Sequence, residues 1–177
     1  MDWLDIKEFI KDTFKYIIFI ILVLVVAIYI VGLQQVVGPS MSPTLANNDI
    51  VILDKISYKF MDIKRGDIVS LYYADTKYLI KRVIGVPGDY VEFQDNKLYI
   101  NNSYYNEDYL TDVVTDDFSL HDLGYEQIPE NMYLVLGDNR EDSMDSRDPK
   151  VGLIEKENIL GKVRVQIWPI NKMKVVK

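Results

Sequence analysis

The sequence predicts a mainly β protein, in which a single N-terminal transmembrane helix precedes a compact antiparallel β domain. Three observations carry that expectation. Residues 16–33 form a run of 18 residues without a charged side chain. The chain after it breaks into short β-rich runs separated by Gly, Pro, Asn and Asp. No long amphipathic helical pattern and no internal repeat interrupts that punctuation.

The apolar run comes first. At about 1.5 Å per residue it would reach roughly 27 Å, close to the hydrocarbon thickness of a bilayer. A buried core helix would normally carry a polar stripe. A cleaved signal peptide would have a shorter apolar region with a small-residue cleavage site behind it, whereas Gln34-Gln35-Val36-Val37 follows here. Residues 16–33 therefore read as a retained anchor. Lys7, Lys11 and Lys15 precede it, and the next basic residue is Lys55. By the positive-inside rule, residues 1–15 are cytoplasmic and residues 34–177 lie outside the plasma membrane. Trp3, Ile6, Ile10 and Phe14 recur at helical spacing, which fits an interfacial helix or a plain helical extension equally well.

The outer segment is long enough for its own core. Strands are expected at 50–53, 67–73, 77–86, 90–93, 97–100, 132–136 and 163–168. Gln94-Asp95-Asn96, between two of these runs, is a hairpin signal. Residues 101–130 are rich in Asn, Asp and Tyr and read as a small excursion with weak secondary structure. This spacing fits an antiparallel barrel or sandwich rather than a parallel sheet.

Composition removes several chemistries. There is no Cys and one His, His121. Disulfides, thiol nucleophiles, thiolate zinc sites and multi-histidine metal centres are excluded, and no residue is read as a metal or cofactor ligand. The formal net charge of −7 argues against nucleic acid as a partner. An acidic outer domain is most simply a solvated surface.

Three stretches carry candidate chemistry. The first is Gly38-Pro39-Ser40-Met41-Ser42-Pro43-Thr44-Leu45. Its two prolines fix φ on either side of Ser40 and would hold one hydroxyl beside its own backbone N–H, an oxyanion donor. The G-x-S-x-G elbow fails, because Ser42 stands where the last Gly would be. Taken alone, the stretch is more simply a Pro/Ser stem linker.

The second stretch is residues 77–85, KYLIKRVIG. Strand alternation puts Lys81 with Leu79 and Val83, and Arg82 with Ile80 and Ile84. One cation must then be enclosed by apolar neighbours unless the strand is an edge. A desolvated Lys has a lowered pKa and can act as a general base near neutral pH. A snorkelling surface Lys is the simpler reading of this stretch alone.

The third stretch is residues 137–149, GDNREDSMDSRDP. Its spacing does not match an EF-hand loop. An ion-paired turn, Asp145 with Arg147 or Asp138 with Arg140, is the plain alternative, worth only about 0–1 kcal/mol if exposed. His121 lies in an acidic, non-β segment and reads as a surface residue. A serine nucleophile in this chain would need another base, and Lys is the candidate.

The order of these motifs is an anchor, S-M-x-P-T-L (40–45), R-G-D-I-V (65–69), K-R-V-I-G-V-P-G-D (81–89) and G-D-N-R-x-x-S-x-D-S-R (137–147). That order strongly resembles type I signal peptidase, the bacterial leader peptidase, from the anchor to about residue 167. The resemblance implies a β catalytic domain of the kind shared with self-cleaving SOS-type repressors. It implies Ser40 as nucleophile and Lys81 as general base. By the same resemblance Ser143 orients the Lys, Asp145 and Arg147 form a supporting ion pair, and Gly137 leaves the Lys room. The Ser40 N–H would be one oxyanion donor. Gly38 stands where many members place a second, hydroxyl donor, which leaves that donor open. Lys at the base position separates the chain from the endoplasmic-reticulum type, which has His there. The single anchor, short chain and reduced excursion resemble the Gram-positive branch.

The implied partners are secretory preproteins, cut after small residues, and the lipid bilayer around a monomeric enzyme. Met41 and Ile80, beside nucleophile and base, are candidate walls of the substrate pocket. The competing reading is a membrane-tethered β domain that only binds partners; it leaves three ordered motifs unexplained.

Overall fold

The structure is a computed structural model that describes residues 3–73, 77–111 and 113–176. The chain begins as helix α1 (Trp3–Val25), continues through a π-helical stretch (Val26–Ile30) and passes directly into strand β1 (Val31–Gln35). The helical part of the run expected as an anchor thus ends at Ile30, three residues before residue 33. Val31, Gly32 and Leu33 belong to the sheet, because β1 pairs antiparallel with β2 (Ile50–Asp54) from Val31 opposite Asp54 to Gln35 opposite Ile50. Regular α-helix covers only ten uncharged residues after Lys15, against the roughly 20 that a spanning helix needs. Among the described residues no helix is long and apolar enough to cross a membrane. The side chains from Tyr16 to Val26 are nonetheless exposed.

The remaining strands are β3 (Ile68–Tyr73), β4 (Lys77–Gly85), β5 (Val91–Gln94), β6 (Lys97–Ile100), β7 (Ser103–Tyr105), β8 (Phe118–Ser119), β9 (Met132–Leu136), β10 (Ile154–Glu155), β11 (Ile159–Trp168) and β12 (Lys174–Val175). The fold is mainly β and its pairings are antiparallel. One sheet runs β1-β2-β11-β3-β4-β9-β10, with β12 on β11. A second, smaller sheet runs β7-β6-β5-β8. The excursion is therefore more ordered than expected: it supplies β7, β8 and a 3-10 turn at Leu120–Leu123. Strands of two and three residues are too short to show an alternating pattern. The β5–β6 hairpin turns at Asp95 and Asn96, with φ of 49° and 62°, the two positive angles of a type I′ turn.

The small sheet rests on the large one through Phe93, Leu98, Ile100, Ile84 and Leu134. β4 is interior and has apolar side chains on both faces. Val83 and Leu79 pack with Val69 and Leu71, while Ile80 packs with Met41 and Ile68.

The two edges of β4 are covered over different lengths. The strand pairs with β3 over residues 77–82 and with β9 over residues 82–85. Continued pairing would set Gly137 opposite Lys81. Instead the Gly137 N–H donates to Asp145 Oδ2 at 3.0 Å, and its carbonyl accepts from Arg140 Nε at 3.0 Å. Two side chains thus take the backbone groups that would have extended β9. Among the described residues no strand covers that edge of β4 beside residues 79–81.

Phe93, 2% exposed, joins the two sheets. Phe93→Ala should cost about 3–5 kcal/mol in urea unfolding, from lost burial and the cavity left behind.

Candidate active site

Lys81 and Arg82 are adjacent on β4, and both are buried, at 1% and 2% exposure. Alternation alone expected one cation indoors. Two are accommodated because β4 is covered on each face, and each cation has polar partners there. Lys81 Nζ donates to Ser143 Oγ at 2.9 Å. Burial is the main cause that pushes the Lys81 ammonium down to about 8, assisted by the nearby Arg147 cation and opposed by the carboxylates of Asp145, Asp138 and Asp142. Much of this lysine is therefore neutral just above physiological pH.

Ser40 is half-buried, on the turn that follows β1. Its carbonyl accepts from the Asn139 N–H at 3.0 Å. That bond brings the serine loop onto the loop after β9. Gly137 sits at their junction. A Cβ there would lie 2.2 Å from Ser143 Oγ and 2.4 Å from the Ser40 carbonyl oxygen. Space, not backbone angle, requires glycine at 137. The structure thus brings Ser40, Lys81, Gly137 and Ser143 to one place.

Asp145 and Arg147 complete the setting. Arg147 donates through Nε to Asp145 Oδ1 and through Nη2 to Asp145 Oδ2, each at 2.9 Å. Burial raises the Asp145 carboxyl, yet hydrogen bonds from Arg147, Gly137 and Ser143 outweigh it and hold the group below the usual carboxylate range. The Asp145–Arg147 pair is the one the turn suggested. The alternative pairing of Asp138 with Arg140 is not formed.

Asp138 instead takes Arg82 in a buried two-pronged ion pair, with Nε to Oδ1 at 2.8 Å and Nη2 to Oδ2 at 2.7 Å. Thr44 Oγ1 donates to the same carboxylate at 2.5 Å. Arg140 turns to Glu107. Sequence reasoning gave no role to Arg82, Thr44, Asn139 or Glu107. The first three lie inside the quoted motifs, one to four residues from the named site residues, and that position was the available signal.

Met41 and Ile80 are buried in one apolar cluster with Val36 and Leu45, beneath the serine loop. Gly38 has a φ of 87°, a conformation that disfavours side chains. Its N–H is committed to Asn47 Oδ1 at 2.8 Å, so it is not a spare oxyanion donor. His121 is exposed, with Nδ1 3.4 Å from the Tyr90 hydroxyl, and belongs to the excursion rather than to this site.

Known proteins are similar to this chain. The family model described as signal peptidase, peptidase S26, matches residues 6–168. Signal peptidase IB of Staphylococcus aureus is 35% identical over 181 residues, covering 95% of this chain and 94% of the relative. Signal peptidase I P of Bacillus subtilis subsp. natto is 36% identical over 178 residues, covering 97% and 96%. The crystal structure of a signal peptidase I from Enterococcus faecalis aligns with a TM-score of 0.52 at 36% identity, covering 58% of this chain and 97% of that one. The chain belongs to the signal peptidase family. It is an enzyme of the signal peptidase I kind, a hydrolase, which sets aside the competing view of a domain that only binds.

Two stability outcomes follow from the packing. Gly137→Ala should lose about 1–3 kcal/mol, because Ser143 and the Ser40 carbonyl must both move. Lys81→Met should raise the melting temperature. A lysine with a folded pKa near 8 and an unfolded value near 10.4 destabilises the fold fully below pH 8. The penalty fades as pH rises toward the unfolded value, so the advantage of Lys81→Met over wild type should shrink across that window in thermal melts.

Proposed function

We propose that this enzyme removes signal peptides from secreted preproteins with Ser40 as nucleophile and Lys81 as general base. The observation that carries this reading is the buried Lys81 amine, held by Ser143 at 2.9 Å beside the junction where Gly137 abuts the Ser40 carbonyl. Neutral Lys81 takes the Ser40 hydroxyl proton, and Oγ attacks the scissile carbonyl. The oxyanion forms beside the Ser40 N–H. The amine leaves with a proton, an ester acyl-enzyme remains, and Lys81 activates the water that hydrolyses it. Ser143 orients the lysine, and the Asp145–Arg147 pair supports Ser143.

The substrate lies extended along the open edge of β4 near Leu79 and Ile80, where unpaired main chain can add a strand. Met41 and Ile80, buried beneath the serine loop, form the apolar floor under shallow pockets that accept small residues. The exposed apolar run, which the π-helical stretch carries past Val25 to Ile30, holds the monomer in the plasma membrane, with its N-terminus cytoplasmic and the β domain outside. Ser40 then stays near the surface where precursor cut sites emerge, which raises their effective concentration.

In a precursor-cleavage assay, Ser40→Ala and Lys81→Ala should each reduce turnover at least ~10²-fold, within the range typical of a lost base or nucleophile. Retained cleavage by either variant sinks the dyad. His121→Ala should cleave normally. The acid limb of kcat/KM should lie near pH 8, with activity rising as Lys81 loses its proton.

A further inference from the structure

The excursion grips the active-site loop through two arginines. Arg140 is buried, with Nη1 donating to Glu107 Oε2 at 3.0 Å and Nη2 to Oε1 at 2.5 Å. Its Nη1 also reaches Thr115 Oγ1 at 3.2 Å, and its guanidinium lies 5.3 Å from the centre of the Phe93 ring. Glu107 lies between β7 and β8, a segment without an assigned role. The Tyr109 hydroxyl donates to the same Glu107 carboxylate. The Tyr109 ring meanwhile lies 3.8 Å from the Arg82 guanidinium, a close cation–π contact.

These two arginines flank Gly137 and Asp138. Arg140 holds the Gly137 carbonyl, and Arg82 holds the Asp138 carboxylate. Arg147 joins them by donating Nη2 to the Arg140 carbonyl at 2.8 Å while it holds Asp145. Glu107 and Tyr109 are therefore the outer end of a continuous set of bonds that leads through Arg140, Gly137 and Asp145 to Ser143, and so to Lys81. Burial and the Glu107 charge push the Tyr109 hydroxyl upward, which keeps it a donor.

We propose that Glu107 and Tyr109 are positioning residues of the active site, which lock the excursion onto the loop 137–147 and so fix Gly137 and Ser143 against Lys81 and Ser40. Without the Glu107 charge, Arg140 is a buried cation that has lost its counter-ion. It must then move or recruit water, and the Gly137 carbonyl moves with it. Both residues engage the arginines, Tyr109 over Arg82 and Glu107 on Arg140, so the loss falls on the chemical step rather than on binding. This inference rests on the dyad reading above.

The test uses the full chain in detergent micelles with a fluorogenic precursor peptide. Glu107→Gln should lower kcat on the order of 10- to 100-fold, as expected for displaced reacting groups, while KM stays within about twofold. Glu107→Asp, which keeps the charge, should recover a measurable part of kcat. Tyr109→Phe keeps the ring under Arg82 and removes only the hydroxyl; it should fold normally and lower kcat about 2- to 5-fold, as a partly weakened contact would. Wild-type kcat in Glu107→Gln, or a rise in KM alone, overturns the proposal. If Glu107→Gln does not fold, wild-type kcat in Tyr109→Phe overturns it instead. Ser40→Ala in the same assay separates the two readings. If Ser40→Ala still cleaves, the dyad fails. If Ser40→Ala is inactive while Glu107→Gln and Tyr109→Phe are normal, only the positioning role fails.

Discussion

The ion pair of Arg82 with Asp138 lies where three segments meet, and the geometry around it depends on that meeting. Arg82 follows Lys81 on β4. Asp138 follows Gly137 after β9. Thr44, four residues past Ser40, donates to the same carboxylate. Each principal site residue thus has a chain neighbour in one buried cluster. The cluster also reaches the Gly66 carbonyl, which accepts from Arg82 Nη1 at 3.1 Å. A pair this buried adds little net stability over an apolar replacement, but losing one partner leaves an uncompensated charge and costs about 3–5 kcal/mol. Its effect is registry: one strand and two loops are held in one relative position, and the polar atoms they present are aligned with them.

Lys81 shows the opposite balance. Its burial destabilises the folded chain and at the same time lowers its pKa toward the range in which it can accept a proton. The surrounding carboxylates limit that descent, because Asp145, Asp138 and Asp142 favour the charged form. The site therefore sets the lysine between two pressures, an apolar environment from the strands and negative charge from the loop after β9. Asp145 itself stays ionised because Arg147 and two further hydrogen bonds offset its own desolvation.

Much of this was legible in the residues, and the remainder was not for definable reasons. Alternating runs between turn residues located β2, β3, β4, β5, β6, β9 and most of β11, since each is long enough to show its period. The first three residues of β1 were hidden inside the apolar run, where a strand and a helix look alike. β7, β8, β10 and β12 have two or three residues and carry no pattern. Ser40, Lys81, Gly137, Ser143, Asp145 and Arg147 were named from the family resemblance that the motif order carries, and the fold brings them together. Arg82 with Asp138 and Glu107 with Arg140 were not named, because a contact between residues 56 or 33 positions apart leaves no mark in local spacing.

The passage from helix to sheet has a mechanical meaning. The Lys55 N–H donates to the Ile30 carbonyl at 3.0 Å, β1 pairs along its whole length, and Val36 is bonded to both Asp49 and Asn48. Gly38 is then tied to Asn47, two residues before the serine. The span from the apolar helix to the serine turn is held at each of these points, so under the proposed reading bonds in a precursor would be sorted by how far they stand from its own apolar segment before any side chain is tried for fit.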